Sequence, residues 1–581
     1  MVIGRLAIEI ILLAVCAGGP GLLLAGWVRG SPMEKLCGVF AASFIAIYLA
    51  SFALFSLNTG AWAYWGVTGV FAVCGVMGLR TAAMLVRRRD TRRTFLCFCV
   101  LLAWEFIHLA MIRGYGGGGW GGDWYEHFDR TRFFLHQLPL DFRYLNRYSL
   151  ASRPPMMNLI AAFFCRQMGL SFEAFSLVFL FLNAWAFVPC CLFLTRIAPR
   201  RRLEPVLAAL FMLNPSILEN VTYTWTKAFA AAWVVLGVCF YLRRRLVPAA
   251  VSLAAGILVH YSAVPFAAAV GLHCIFTSIR SGSAWRKAAG AGVAAAALLA
   301  TWFGWAAVRL GVKATFADAS QTTGMPTMAL GENLRRMAYN LFTSMIPHPL
   351  HPAASSSAFS TLSHVHNWGD FRDYYFTIVQ TALPTMMGLF GGIVAAGMLV
   401  RMLRARIGVN PWEQRFWLFY LIFAYVVGIS VNYGWMEFGT ANITLQSLAM
   451  MGLTLVAAWL PTGRRVLFRL VLAALAIDYS LGILLQFVRE SIVPGTSQTN
   501  GRTVLNYDPA LGFNTNAEYW EKLRGGYVFW GDDLAGVGAV LPAVSVVGAV
   551  GALWVLFGVG ARRNRRGRKG GATGGGELAG L

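Results

Sequence analysis

The sequence predicts an all-α polytopic integral membrane protein, on three observations. Of its 581 residues, 57% are hydrophobic and 13% charged, about half the roughly 25% charged share of a soluble globular chain. Mean hydropathy is +0.59. Apolar runs near twenty residues recur along the chain, and a helix of that length crosses a hydrocarbon core of about 30 Å.

The formal net charge of +24 would suit a nucleic-acid binder. Positive charge spread over loops between apolar runs reflects orientation in a bilayer instead, so no nucleic-acid partner is expected. The ten cysteines fall mostly within apolar runs, none in the two longest polar loops. No CxxC spacing occurs, so neither a disulfide framework nor a zinc site is predicted. The first apolar run has no convincing small-residue cleavage site and is closely followed by a second, which marks it as a retained helix.

Candidate spans fall at 7–28, 36–56, 61–86, 94–112, 171–195, 203–219, 228–242, 246–263, 264–279, 288–308, 376–400, 415–432, 441–460, 466–487 and 535–559. Basic clusters follow the third span (Arg87, Arg88, Arg89, Arg92, Arg93), the fifth (Arg196, Arg200, Arg201, Arg202), the seventh (Arg243, Arg244, Arg245) and the ninth (Arg280, Arg286, Lys287). Others stand at Arg401, Arg404 and Arg406, at Arg464 and Arg465, and in the RRNRRGRK tail. Positive segments resist translocation, so all are expected on the cytoplasmic side.

Residues 154–168 (PPMMNLIAAFFCRQM) decide the register of that scheme. Fifteen helical residues reach only ~22 Å, short of the hydrocarbon core. If the segment crossed, Arg196–Arg202 would fall outside; lying along the outer interface, it leaves every basic cluster inside, and it is predicted as an interfacial helix. The N-terminus is then outside. The basic, Gly-rich tail at 562–581 lies inside, where it reads as disordered and in contact with anionic lipid.

The outer surface consists chiefly of 113–170, 309–375 and 488–534, with shorter loops at 214–227 and 432–442, and most acidic residues collect there. Within the spans the main charged residues are Glu9, Glu105 and Asp478. An ion-coupled transporter would need ionisable residues or broken helices at the midplane. Polar chemistry gathered on one face points instead to an enzyme at the outer interface.

The first long loop carries the densest chemistry. Six glycines in 116–122 let the chain leave the bilayer and fold back. Asp123, Glu126 and Asp129 follow at helical spacing, with His127 and Arg130 beside them. Carboxylates so close to a membrane surface suit general-base work or metal ligation. They equally suit a solvated helix whose acids pair with Arg130 and Arg132.

A short in-to-out helix, an outer loop opening with Asp, a second acid, a basic-Pro-Pro and an interfacial helix together resemble the GT-C superfamily. These membrane glycosyltransferases use polyprenyl-phosphate-linked sugars and include the protein O-mannosyltransferases and the lipid A aminoarabinose transferases. The resemblance rests on GGDWYEHFDR, SRPPMMNLIAAFF, the following helix ending in TRIAPRRR, and the order of spans and loops over roughly 94–460. Two departures stand out. Trp124 and Tyr125 separate Asp123 from Glu126, where those members have adjacent Asp-Glu, and Arg153 precedes Pro-Pro where Lys or His is common.

The resemblance implies a GT-C-like bundle of about 13–15 transmembrane helices with extracytoplasmic loops and interfacial helices. Its order would be additional helices over 1–93, a catalytic core over 94–487 with outer loops at 113–170 and 309–375, an outer loop or cap at 488–534, a last helix at 535–561, and the tail. It implies transfer of a sugar from a polyprenyl-phosphate donor to a lipid, polysaccharide or protein acceptor. A phosphate leaves without a general acid, so a carboxylate must activate the acceptor hydroxyl and cations must hold the phosphate charge. Direct displacement inverts the anomeric centre. Asp123, matching the first family acid, is the expected base, and Glu126 the alternative base or a metal ligand.

The donor phosphate is expected to meet Lys227, Arg153, His260 and Tyr261. Lys227 could equally snorkel from a span end, Arg153 anchor at the interface, and His260 be a hydrogen-bonded core histidine. Arg335 and Arg336 are weaker candidates. Trp124, Tyr125 and His127 fall where substrate would lie, and Glu437 and Asn442 of NYGWMEFGTAN are candidate sugar contacts. His348, His351, His364 and His366, followed by Asp370 and Asp373, have metal-capable spacings, with His364 and His366 the tighter pair. Some members of the superfamily use a divalent metal such as Mg or Mn and others none, so a metal stays open. The expected location is a bacterial inner membrane, with the site facing outward. Two competing readings are a transporter or flippase of lipid-linked saccharides, and an enzyme resembling the O-antigen ligases.

Overall fold

The computed structural model describes residues 2–27, 30–112, 123–142, 144, 149–199, 201–279, 282–316, 329–347, 350, 371, 374–375, 378–380, 382–404, 411–428, 446–462, 465–488, 497–499, 502–504 and 529–570. Apart from one antiparallel pair of three-residue strands, Ser497–Thr499 and Arg502–Val504, the regular structure among them is helical. Seven helices are long and apolar enough to cross a membrane, nine if each of two sharply bent pairs is one span, and four more are apolar but shorter. The chain is an integral membrane protein.

The N-terminal helices are α1 (Val2–Trp27), α2 (Pro32–Ser56), α3 (Ala61–Met77), α4 (Leu79–Arg87) and α5 (Arg89–Leu109). A capping box starts α2, with Ser31 Oγ accepting from Glu34 N and Ser31 N donating to Glu34 Oε2. Between α3 and α4 the path turns by 55°. Helix α1 crosses α2 at Gly21, where a Cβ would overlap the Val39 carbonyl; small residues allow this approach where apolar lipid gives no hydrophobic drive.

Next come α6 (Asp123–His136), α7 (Met156–Met168), α8 (Phe172–Ala184) and α9 (Phe187–Ile197). The segment expected at the interface, α7, is short but not half-exposed. Met156 through Cys165 are buried, because α2 and α3 cover it on one side and α6, α8 and α13 (Leu246–Val259) on the others. The helices over 1–93 therefore wall this segment: Ser51 Oγ donates to Leu159 O at 2.7 Å and Thr68 Oγ1 to Gln167 Oε1 at 2.8 Å.

The span expected at 203–219 is broken into α10 (Glu204–Leu213) and α11 (Pro215–Thr222). Pro215 removes an amide and disfavours helix at Asn214, which instead caps α11 by accepting from Ile217 N at 2.9 Å. Helix α12 (Lys227–Leu242) then leaves α11 at 111°. All sixteen of its residues are buried, so α12 and the α8–α9 span form the centre of the bundle. Helices α14 (Val264–Ser278) and α15 (Gly282–Arg309) flank α13, and α16 (Leu330–Thr343) follows.

The remaining helices are α17 (Leu389–Arg404), α18 (Pro411–Ile422), α19 (Gln446–Trp459), α20 (Arg465–Gly482) and α21 (Leu541–Gly570). The span expected from 376 starts only at Leu389, because Pro384 and Gly388, with φ of +108°, interrupt it. Asp478 of α20 caps α17, accepting from Phe390 N at 2.8 Å and Gly391 N at 2.7 Å. Helix α21 continues to Gly570, so the tail expected to be irregular from 562 begins as helix; extending an existing helix costs far less than nucleating one.

Candidate functional site

Helix α6 lies against α7, and side chains of α6 lock the 149–153 turn that leads into α7. Glu126, fully buried, accepts from Arg130 Nε at 2.8 Å and faces Arg153 Nε at 3.5 Å, both through Oε1. Arg130 also donates to Ser152 Oγ at 2.9 Å and to the carbonyls of Leu150 and Ser149. Its guanidinium stacks over the Tyr144 ring at 4.2 Å. Burial alone would raise the Glu126 pKa, but Arg153, Arg130 and His127 hold it down to about 2. Glu126 is thus a fixed negative charge that holds two guanidiniums, an arrangement poor for taking up a proton.

Asn158 of α7 binds α6 by donating from Nδ2 to His127 O at 2.7 Å and to Thr131 Oγ1 at 3.3 Å. Its Oδ1 therefore accepts, and His127 Nδ1, 3.3 Å away, carries the ring proton. Burial and the nearby Arg153 and Arg130 hold the His127 pKa at about 3 against the upward pull of Glu126, so the ring is neutral at neutral pH. Asp129 pairs with the exposed Arg132 at 3.3 Å, as in a solvated helix.

Arg153 stands in extended backbone, φ −134° and ψ 138°, the conformation a following proline imposes. Its side chain is 18% exposed, so it reaches the boundary of the buried network. His260 caps α13, and Ser262 N donates to its Nδ1 at 3.1 Å, which leaves the ring proton of the neutral form on Nε2. Arg153, Lys227, His127 and Glu126 all lie within electrostatic reach of this ring. Tyr261 donates to Ala151 O at 2.7 Å and braces the 149–153 turn, so its hydroxyl is already engaged.

Lys227 opens α12 beside the 111° elbow, buried at 7% exposure, its Nζ 4.0 Å from the Trp225 ring centroid. Asn183, where α8 ends, sets the elbow: Nδ2 donates to Trp225 O at 2.9 Å and Oδ1 accepts from Phe229 N at 3.0 Å. Asn158 and Asn183 carry no sequence signal, since an isolated amide in an apolar run looks the same whatever it touches.

The fold thus brings together Glu126, Arg153, Lys227, His127, His260 and Tyr261, from four separate stretches of chain. Asp123 opens α6 one helical turn before Glu126, but its side chain, with those of Trp124 and Tyr125, lies outside the described residues. Glu437, Asn442, His348, His351, His364 and His366 also lie outside them. Arg336 is buried and held by Asn333 Oδ1 at 2.7 Å. Among the described residues no group of three or more His, Cys, Asp or Glu is arranged to hold a metal ion.

No family model and no curated protein sequence matches the chain. Among solved structures it is similar to ArnT from Cupriavidus metallidurans bound to undecaprenyl phosphate, with TM-score 0.46 and 16% identity over 80% of this chain and 76% of that one. It is similar also to the apo state of that protein, with TM-score 0.44 and 16% identity over 80% and 75%.

Proposed function

We propose that the chain is a membrane glycosyltransferase of the GT-C type, moving one sugar from a polyprenyl phosphate to an acceptor outside the membrane with inversion. The observation that carries this reading is the gathering of Arg153, Lys227 and His260 around one buried locus. Two cations and a histidine with its proton on Nε2 suit a phosphate that gains charge as its bond to sugar breaks. Burial strengthens their hold, because the local dielectric is low.

Asp123 serves as base toward the acceptor hydroxyl, and Glu126 acts at one remove by fixing Arg153. The positive-inside distribution of the basic clusters supports an outward-facing site, and the resemblance to the lipid A aminoarabinose transferases supports the inner membrane of a bacterium. The elbow between α11 and α12 favours a second reading, since transporters build substrate sites from broken helices. One experiment separates them. Wild type and Asp123→Asn are given radiolabelled polyprenyl-phosphate sugars with membrane extract as acceptor, and label leaving the lipid pool is counted. Transfer lost in Asp123→Asn with donor binding kept supports the enzyme. Transfer that is unaffected by Asp123→Asn sinks the assignment of the base, and saccharide movement across vesicles without transfer supports the transporter.

A further inference from the structure

A second polar locus lies on the other arm of the elbow, and the chemistry above does not use it. Glu219 and Asn220 of α11 are buried at 3% exposure each, with Gln380 at 0% and Gln446 at 4%. Their side chains form one directional chain. Gln446 Nε2 donates to Asn220 Oδ1 at 2.6 Å, Asn220 Nδ2 to Gln380 Oε1 at 2.9 Å, and Gln380 Nε2 to Glu219 Oε2 at 2.8 Å. Asn220 Nδ2 also donates to Ser216 O at 2.7 Å, which fixes the amide's orientation.

The chain of donors ends at the Glu219 carboxyl group, whose second oxygen, Oε1, is buried and has no hydrogen-bond partner. An acceptor left so in a protein interior costs free energy, and its natural partner is a hydroxyl brought from outside the fold. Each member also stands where an outer segment rejoins the bundle. Glu219 and Asn220 precede the elbow, Gln380 stands five residues past the 309–375 stretch expected as the second outer loop, and Gln446 stands four residues past the 432–442 loop with Glu437 and Asn442. Only Tyr223–Thr226 separate α11 from Lys227.

We infer that Glu219 Oε1, aligned by the Gln446–Asn220–Gln380 chain, receives a hydroxyl of a sugar ring whose phosphate side faces Lys227 and Arg153. This rests on the transferase reading. Two sources share that chemistry: the sugar on the donor, and a saccharide acceptor.

The test uses the full chain in detergent with three probes: plain polyprenyl phosphate, the same lipid carrying sugars from a panel, and alkyl glycosides without phosphate. Binding is measured for wild type, Glu219→Leu and Gln380→Met, with thermal unfolding as the check on folding. In Glu219→Leu, plain lipid phosphate should bind as in wild type, while the added affinity due to the sugar falls about ten- to hundredfold, as for a buried polar group left without its partner. Gln380→Met keeps the Glu219 carboxyl but frees its orientation, and should lose a few fold. If donor discrimination is intact but glycoside binding falls, the hydroxyl belongs to the acceptor. If neither moves in either folded variant, Glu219 is a structural residue and the inference is overturned. Lipid phosphate binding absent from wild type would remove the transferase reading itself. Glycoside binding that still depends on Glu219 would then leave the hydroxyl site standing alone, and its absence would remove that too.

Discussion

Replacing Glu126 by Gln removes one charge and almost no volume, and so isolates what that charge does. In the wild type Oε1 is shared by Arg130 Nε at 2.8 Å and Arg153 Nε at 3.5 Å, with Arg130 2% and Arg153 18% exposed. Taking one partner from a buried ion pair costs about 3–5 kcal/mol, because the remaining charge cannot recover its hydration. Gln still offers Arg130 a neutral acceptor, so a loss near the lower end, about 3 kcal/mol, is expected. Denaturant titration in mixed micelles measures it. A double-mutant cycle with Arg130→Met should show coupling of about 1–3 kcal/mol between the two positions. Lipid phosphate binding should weaken as well, since Arg153 loses its anchor. Stability unchanged within about 0.5 kcal/mol, with transfer abolished, would refute this account and make Glu126 the base.

Lys227→Met should weaken binding of plain polyprenyl phosphate about ten- to hundredfold by removing a buried phosphate cation, and flatten its salt dependence; equal affinity in a filter-binding assay would exclude Lys227 from the phosphate site. His127 predicts acid sensitivity. Its pKa of about 3 in the fold, against 6.5 unfolded, means the unfolded chain binds a proton first, so stability falls as pH drops from about 6.5 toward 3. Glu126, held at about 2 against 4.5, contributes stability that is intact above pH 4.5 and lost only as pH falls toward 2. The variant His127→Asn should therefore flatten the unfolding midpoint between pH 6.5 and 4.5, and an unchanged slope there would assign the loss elsewhere. Asp478→Asn keeps one acceptor for the first amides of α17 but removes the charge; a loss of about 1 kcal/mol is expected by analogy with helix caps, read from the same titration.

Much of the bundle was legible because apolar runs of membrane length report their own burial. The limits of that signal show at Pro215, where hydropathy runs unbroken across 203–219 while the backbone turns. They show again at α7, whose 13 residues were rightly too short for a span. Whether a short apolar helix lies on a membrane or under other helices depends on partners far away in sequence, here α2 and α3. The members of the candidate site are legible by residue type: Arg153, Lys227, His260 and Glu126 each stand out in the sequence, on stretches that only the tertiary fold joins. What each does was less so. Tyr261 has its hydroxyl bound to Ala151 O, and Glu126 is committed to two arginines; neither follows from spacing. Glu219 was visible only as one acid among many on the outer loops, because nothing in the sequence says which amides will line up behind it.

The pairing of α1 with α8 bears on how the chain is made. Arg5 reaches Glu173 at 3.8 Å and donates to Ser171 Oγ, a partner 166 residues further along. At about 5–20 residues per second, synthesis leaves α1 without α8 for roughly 8–30 s. The pair of Arg5 with Glu9 at 2.9 Å lies within one helix, so α1 needs no other part of the chain to enter the bilayer as a neutral pair rather than with a bare carboxylate. The same arginine then acts twice, first as the escort of Glu9 and later as the point at which α8 docks.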